Sequence, residues 1–306
     1  MSFLKPAARP WRATDFSYSR VASEPFDADL LYILRTTALV ESRADQYGDY
    51  LRAVFAERGA PWRDAVDQWN REEREHGRAL RRLAEAAGGG FAFERVMDAY
   101  LDGVAYHDCD GHSVRGSIAG ELVARCIVEA LASTFYRVLR DACRDETGRQ
   151  ILHTLALDEA RHYGMFKALL DAECAQRKLT LRQRLRVGLG RMLELSDDQI
   201  MFAAWLVDTP ADTHYRRKAV ARRYQAALYP RYRYAHLCFA ARLICPVLFG
   251  RRSEPLNRSF AVLLWLGVRL RSMSNRAALA LSSFIPNAAT ASSKNKQAAS
   301  RKLRRA

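Results

Sequence analysis

The chain has 306 residues, 49% of them hydrophobic, with 49 Lys and Arg against 34 Asp and Glu for a net charge of +15. That length buries a substantial core, and the composition is that of a soluble globular protein, which excludes collagen-like and low-complexity classes. No stretch approaches the roughly 20 apolar residues of a membrane span, and the six cysteines (109, 126, 143, 174, 238 and 245) form no C-x-x-C pair, so reduced thiols and a cytoplasmic setting are expected.

Charge divides along the chain. Residues 1–176 carry 23 Lys and Arg and 28 Asp and Glu, a balance of −5, whereas residues 177–306 carry 26 and 6, a balance of +20. A positive field of that size suits an acidic protein partner, an anionic membrane surface touched peripherally, or nucleic acid.

Residues 1–26 contain arginines but no apolar signal core, and are expected to form an N-terminal arm. From there helical periodicity dominates and the fold class is all-α. Asp27 is a plausible cap for a first helix running through Leu30, Leu34, Ala38 and Glu41 to about Arg58. Pro61 opens a second helix that stops at Gly88-Gly89-Gly90, and Phe93 to Ala105 reads as a crossover helix. A third begins at Ser113 or Arg115 and carries Glu121 and Glu129 to about Cys143, and a fourth runs from about Gln150 through Glu159 to about Gln176. Residues 27–176 therefore predict a four-helix bundle with one long connection. Residues 177–285 predict further basic helices, and residues 286–306, rich in Ala, Ser, Lys and Arg, predict a disordered basic tail.

Two of the bundle helices carry Glu-x-x-His: Glu73 with His76, and Glu159 with His162. A spacing of three places carboxylate and imidazole about 300° apart around a helix, so both face one ion. Each pair can be matched with one upstream glutamate, Glu41 and Glu129, which completes the ligand set of a carboxylate-bridged di-iron centre. Fifteen Glu and seven His predict roughly a third of one such motif by chance, so register must carry the argument. The midpoint of Glu41 and Glu73 falls beside the breaker Arg58-Gly59-Ala60-Pro61, and that of Glu129 and Glu159 beside Arg144-Asp145-Glu146-Thr147-Gly148. All four glutamates thus stand about 24 Å from their turns, near mid-bundle, where a carboxylate facing the core is strongly disfavoured without a cation.

Other residues compete for roles. Glu121 lies two turns before Glu129, but its midpoint with Glu159 falls inside a helix, which favours Glu129. Asp158 could orient His76 through its ring N–H, as metal-bound histidines require. Asp45 reads as a surface acid, Tyr136, Tyr163 and Cys126 as core, and His107 and His112 as members of a polar surface loop. Gly88-Gly89-Gly90 follows a helix rather than opening one, so neither a phosphate cradle nor a Rossmann motif is read here.

The segment from Trp69 to Leu80, Trp-Asn-Arg-Glu-Glu-Arg-Glu-His-Gly-Arg-Ala-Leu, resembles the Trp-x-x-Glu-Glu-x-x-His-Gly-x-x-Leu signature of the soluble acyl-[acyl-carrier-protein] desaturases, and Asp158 to His162 resembles their second motif. The resemblance covers residues 27–176. It implies a ferritin-like di-iron bundle with Glu41, Glu73, His76, Glu129, Glu159 and His162 as both ligands and catalytic residues, Glu73 and Glu159 bridging two Fe ions. The sequence departs from the family at Ala132, with Ser133 beside it, where the desaturases carry threonine, and nothing from about Thr180 onward aligns.

The expected function is an O2-dependent desaturase or hydroxylase acting on an acyl or lipid-like substrate, free or bound to a carrier protein. Electrons would come from a ferredoxin or reductase, and a homodimer is among the expected assemblies. Two other classes stay open: a ferritin-like iron-handling or peroxide-detoxifying protein, and a non-catalytic scaffold whose basic half binds membrane or nucleic acid.

Overall fold

Helix α1 (Ala28–Glu41) begins where the Asp27 carboxylate accepts a hydrogen bond from the Leu30 amide at 2.7 Å. The structure, a computed structural model, describes residues 3, 10–21, 26–88, 90–104, 111–194, 198–208 and 214–284. The periodicity predicts one helix from Asp27 to Arg58, and this is corrected: α1 stops at Glu41 and α2 (Ala44–Val54) restarts after a two-residue break. Ser42 Oγ donates to the carbonyl of Ala38 at 2.7 Å, a back-bond that competes with the helical ladder at this point. Apolar spacing does not register the break, because buried positions resume beyond it at Leu51 and Val54.

α3 (Ala60–Ala86) packs on both segments. A Cβ on Gly77 would lie 3.0 Å from the Glu41 carbonyl oxygen, and one on Gly48 2.5 Å from Asn70 Cγ, so two glycines let the backbones close up. Pairing 41 with 77 and 48 with 70 makes the helices antiparallel. α4 (Phe93–Gly103) crosses over, and α5 (Ile118–Ala142) starts later than expected, because Gly116 is held at φ +78° and Ser117 supplies the cap to Gly120 N at 3.0 Å. α6 (Glu146–Gln176) starts earlier, capped by Asp145 on Gly148 N at 2.7 Å, and packs along α5 and against α3.

The basic half is helical too: α7 (Leu181–Leu193), α8 (Asp198–Asp208), α9 (Arg217–Leu228), α10 (Tyr234–Phe249) and α11 (Glu254–Phe284). α8 and α9 lie on α1, α7 and α10 on α5, and α11 on α9 and α10. Among the described residues all regular structure is helical, and no helix is long and apolar enough to cross a membrane. His107 and the tail from Pro286 lie outside the described residues.

The core has two apolar halves. One gathers Leu30 and Ile33 from α1, Leu80 and Leu83 from α3, and Leu152 and Leu155 from α6. The other gathers Leu51 of α2, Val66 of α3, Ile127 of α5 and Phe166 of α6. On α3 and α6 one glutamate and one histidine, all four buried, fall between these two sets: Glu73 and His76, and Glu159 and His162.

Candidate metal centre

Four helices deliver carboxylates to that mid-bundle layer: Glu41 from α1, Glu73 from α3, Glu129 from α5 and Glu159 from α6, with His76 and His162 one turn beyond their glutamates. Glu73, Glu129, Glu159 and His162 could hold one metal ion, and Glu41, Glu73 and His76 another. Glu73 belongs to both groups. His76 and His162 have no exposed surface and Glu159 retains 2%, so water cannot solvate these charges.

Glu73 and Glu159 each span the pair of imidazoles. Glu73 Oε2 lies 3.5 Å from His76 Nδ1 and its Oε1 3.0 Å from His162 Nδ1; Glu159 Oε1 lies 3.3 Å from His76 Nδ1 and its Oε2 3.4 Å from His162 Nδ1. Both Nδ1 atoms therefore face the carboxylates, and the rings stack at 5.5 Å. His76 Nδ1 makes no hydrogen bond despite its burial. Glu129 approaches His162 Nδ1 at 3.9 Å, and Glu41 accepts from the Tyr136 hydroxyl at 2.5 Å.

Electrostatics follow from burial and mutual repulsion. Burial and then the negative charges of Glu73 and Glu159 push Glu41 well above the ordinary carboxylate range, and burial and Glu159 do the same to Glu129. Burial also pulls Glu73 and Glu159 upward, but the two histidines outweigh it and hold both below that range. Tyr136 is raised well above its ordinary value by burial and Glu41.

The outward ring nitrogens meet a second set of acids in crossed fashion. Asp158, next to Glu159, lies 3.3 Å from Nε2 of His76, and Glu72, next to Glu73, lies 2.8 Å from Nε2 of His162. Burial would raise both acids, but their bonds to the histidines and to Arg161 keep them low; an ionised carboxylate only accepts, so Nε2 carries a proton. Burial lowers both histidines, but the carboxylates around them outweigh it and raise them well above their ordinary value; a metal would displace the Nδ1 proton and take the lone pair that faces the carboxylates. Arg161 ties the two acids together, 3.0 Å from Glu72 and 2.6 Å from Asp158. The arm joins in: Trp11 Nε1 donates to Asp158 at 2.8 Å and its ring stacks on His76 at 5.9 Å, while Ala13 N donates to Glu75 at 2.8 Å. Trp11 lines an open groove on the outer face of α3, beside Arg12, Arg71, Arg74, Arg78 and Arg161.

The remaining candidates stand elsewhere. Glu121 is buried two turns from Glu129, where it accepts from Tyr50 at 2.8 Å and Ser113 at 2.9 Å and pairs with Arg125 at 3.2 Å. Asp45 pairs with Arg74 at the surface, Tyr163 donates to the Leu243 carbonyl at 2.7 Å, Cys126 is buried among apolar side chains, and His112 is exposed. Glu72, Arg161 and Trp11 were not singled out by the sequence. Glu72 repeats the position of Asp158 in the other motif, a signal that was available; Trp11 sits in a segment with no periodicity to read.

A cavity of about 260 Å³ opens against the carboxylates, bounded by Glu41, Glu73, Glu129 and Glu159 on one wall. The bonds Tyr136 to Glu41 and Tyr50 to Glu121 run α1 and α2 antiparallel to α5, which fixes its two ends. At one lie Tyr47, Arg125 and Gln199; at the other, Thr37, Phe135, Leu228 and Tyr232. Ala132 lines it, and the neighbouring Ser133 turns away to the Ala156 carbonyl at 2.7 Å.

No family model matches the chain, and no curated protein matches it. What the structure itself defines is an all-helical protein with a buried Glu and His cluster that could hold metal.

Proposed function

We propose that the chain is a ferritin-like, carboxylate-bridged di-iron oxidoreductase, a desaturase or hydroxylase acting on an acyl or lipid-like substrate. The observation that carries this reading is that Glu73 and Glu159 each present one oxygen to either inward-facing imidazole, beside a cavity that continues away from them. The donor set fits two divalent ions: once metal binding displaces their protons, four carboxylates would supply four negative charges and two imidazoles one lone pair each, and the unbonded Nδ1 of His76 would gain a partner. The resemblance to the acyl-carrier-protein desaturases supports the same assignment.

Two ferrous ions held there would supply O2 binding and two-electron activation for attack on an unactivated C–H bond. The chain's residues do the rest. Glu73 and Glu159 would help hold both ions, and Glu72 and Asp158 would fix the imidazole tautomers. Glu41 is the only one of the six that is partly exposed, and a single bond from Tyr136 orients it, so it has the freedom to change its mode of binding. Arg125 and Gln199 offer a polar head group partners at one end of the cavity, and Phe135 and Leu228 enclose a chain at the other. Electrons would come from an external donor; Trp11, bonded to Asp158 and stacked on His76, is one link between the arginine-lined groove and the cluster, beside Glu72 and Asp158, which line the groove and meet the histidines directly.

The test is iron-replete expression followed by turnover with a reductase, ferredoxin and long-chain acyl substrates, free and carrier-bound. About two Fe per chain are expected. Replacing Ala132 by Phe should keep the iron and abolish O2-dependent conversion by filling the cavity. Loading with iron but oxidation only of ferrous ions or removal of peroxide would instead favour an iron-handling protein, and absence of iron would leave a scaffold.

A further inference from the structure

The longest helix of the basic half presents an apolar face with no protein against it. On α11, Val262 is 43% exposed, Leu263 64%, Leu266 51%, Leu270 66% and Met273 68%. At about 100° per residue these five fall within an arc of about 100° on one side of the helix. The opposite side is spent: Ala261, Ser272 and Asn275 are buried, and Asn275 donates to Gln225 of α9 at 2.9 Å. Isolated exposed leucines need no account, but a continuous stripe of five marks an interaction surface.

Charge selects the occupant. Arg258, Arg269 and Arg276 are all exposed and, by the same geometry, line one edge of the stripe within about 40° of Val262. The sole acid in the helix is Glu254 at its first turn, and residues 285–306 beyond it carry six Lys and Arg and no acid. Trp265, with Arg269 over its ring at 4.0 Å, packs on Tyr234, which places aromatic rings beside the stripe as well. A second copy of this chain would bring like-charged rows together, and five side chains are a small part of the roughly 20–30 residues a stable protein interface takes from each side. Leucines flanked by arginines and a tryptophan on a helix too polar to span are instead the pattern of a segment lying in the plane of a lipid interface.

We propose that the outer face of α11 docks the protein on an anionic lipid surface, with Val262, Leu263, Leu266, Leu270 and Met273 entering the acyl boundary and Arg258, Arg269 and Arg276 contacting headgroup phosphates. Both parts are needed, because each basic residue adds only a modest attraction to an anionic leaflet and a short apolar stripe alone binds weakly.

The experiment is sedimentation of the full chain with large vesicles of phosphatidylcholine alone or with about one third phosphatidylglycerol. Binding to the anionic vesicles is expected, stronger by at least about tenfold than to the neutral ones and falling with salt. L266D/L270D should lose at least about tenfold, and R258E/R276E a comparable amount. Since all four positions are exposed, unchanged helicity and melting temperature will exclude misfolding. Three results would overturn the proposal: no binding to either vesicle, binding that survives L266D/L270D, or a dimer in solution that L266D/L270D dissociates, which would make the stripe an interface between copies.

Discussion

Glu72 reaches from α3 to α6 to place its carboxylate 2.8 Å from Nε2 of His162, and Asp158 mirrors it on His76 at 3.3 Å. Each acid precedes the glutamate of one motif and serves the histidine of the other. Replacing either by alanine should weaken metal affinity roughly 10- to 100-fold, because the ring loses the acceptor that fixes its tautomer. Competition with a chelator of known affinity measures this; Glu72→Ala with unaltered affinity would mean that water or another acceptor supplies the orientation instead.

Glu159→Ala and Glu121→Ala should separate two kinds of buried acid. The first removes an oxygen pair facing both imidazoles and should abolish metal loading. The second leaves loading intact but strands Arg125, Tyr50 and Ser113, at a cost of about 2 kcal/mol in unfolding free energy. Elemental analysis and denaturant titration on both variants check the pair, and equal metal loss would remove Glu129 from its assigned place.

Gly77→Ala tests the close approach of α3 to the break after Glu41. Helix propensity alone favours alanine by about 1 kcal/mol. The new methyl would meet backbone atoms at 3.0, 3.1 and 3.2 Å, which cannot rotate away, and such overpacking costs about 1–3 kcal/mol. The net expectation is a loss near 1 kcal/mol, with weaker metal retention as Glu41 shifts; a stabilised variant would refute the contact.

Asp27 couples the start of α1 to the basic half, capping Leu30 and pairing with Arg231 at 2.5 Å. Burial opposes its ionisation, but the bonds from Arg231 and Leu30 outweigh it and lower its pKa from the ordinary 3.8. A carboxyl lowered on folding stabilises fully above that ordinary value, and the contribution fades as pH falls through the lower folded one. Asp27→Ala should therefore cost about 1 kcal/mol at neutral pH, mostly the cap, and the part of that difference carried by its charge should fade as pH falls below the ordinary 3.8 through the lower folded value. Melting curves across that range decide it.

Local pattern carried a good part of this architecture. The Glu-x-x-His spacing and the distance of each glutamate from its turn placed Glu41, Glu73, Glu129 and Glu159 at one height, because helical rise is fixed and the turns are marked by Gly59, Pro61 and Asp145. The break after Glu41 left no trace, since Ser42 acts through a single hydroxyl. The cavity was equally hidden. Its walls include Leu228 and Tyr232, whose approach to α1 and α5 depends on packing between distant segments that no spacing encodes. Trp11 contributes through one bond and one stacked ring, from an arm without periodicity.

Arg161 gives the two half-sites a common counter-ion. Because one guanidinium balances both Glu72 and Asp158, any rearrangement that filling one ion position imposes on its imidazole is felt by the acid of the other. Occupancy should then be all-or-none: a calorimetric titration with divalent metal is expected to show a single steep transition, and Arg161→Ala should split it into two.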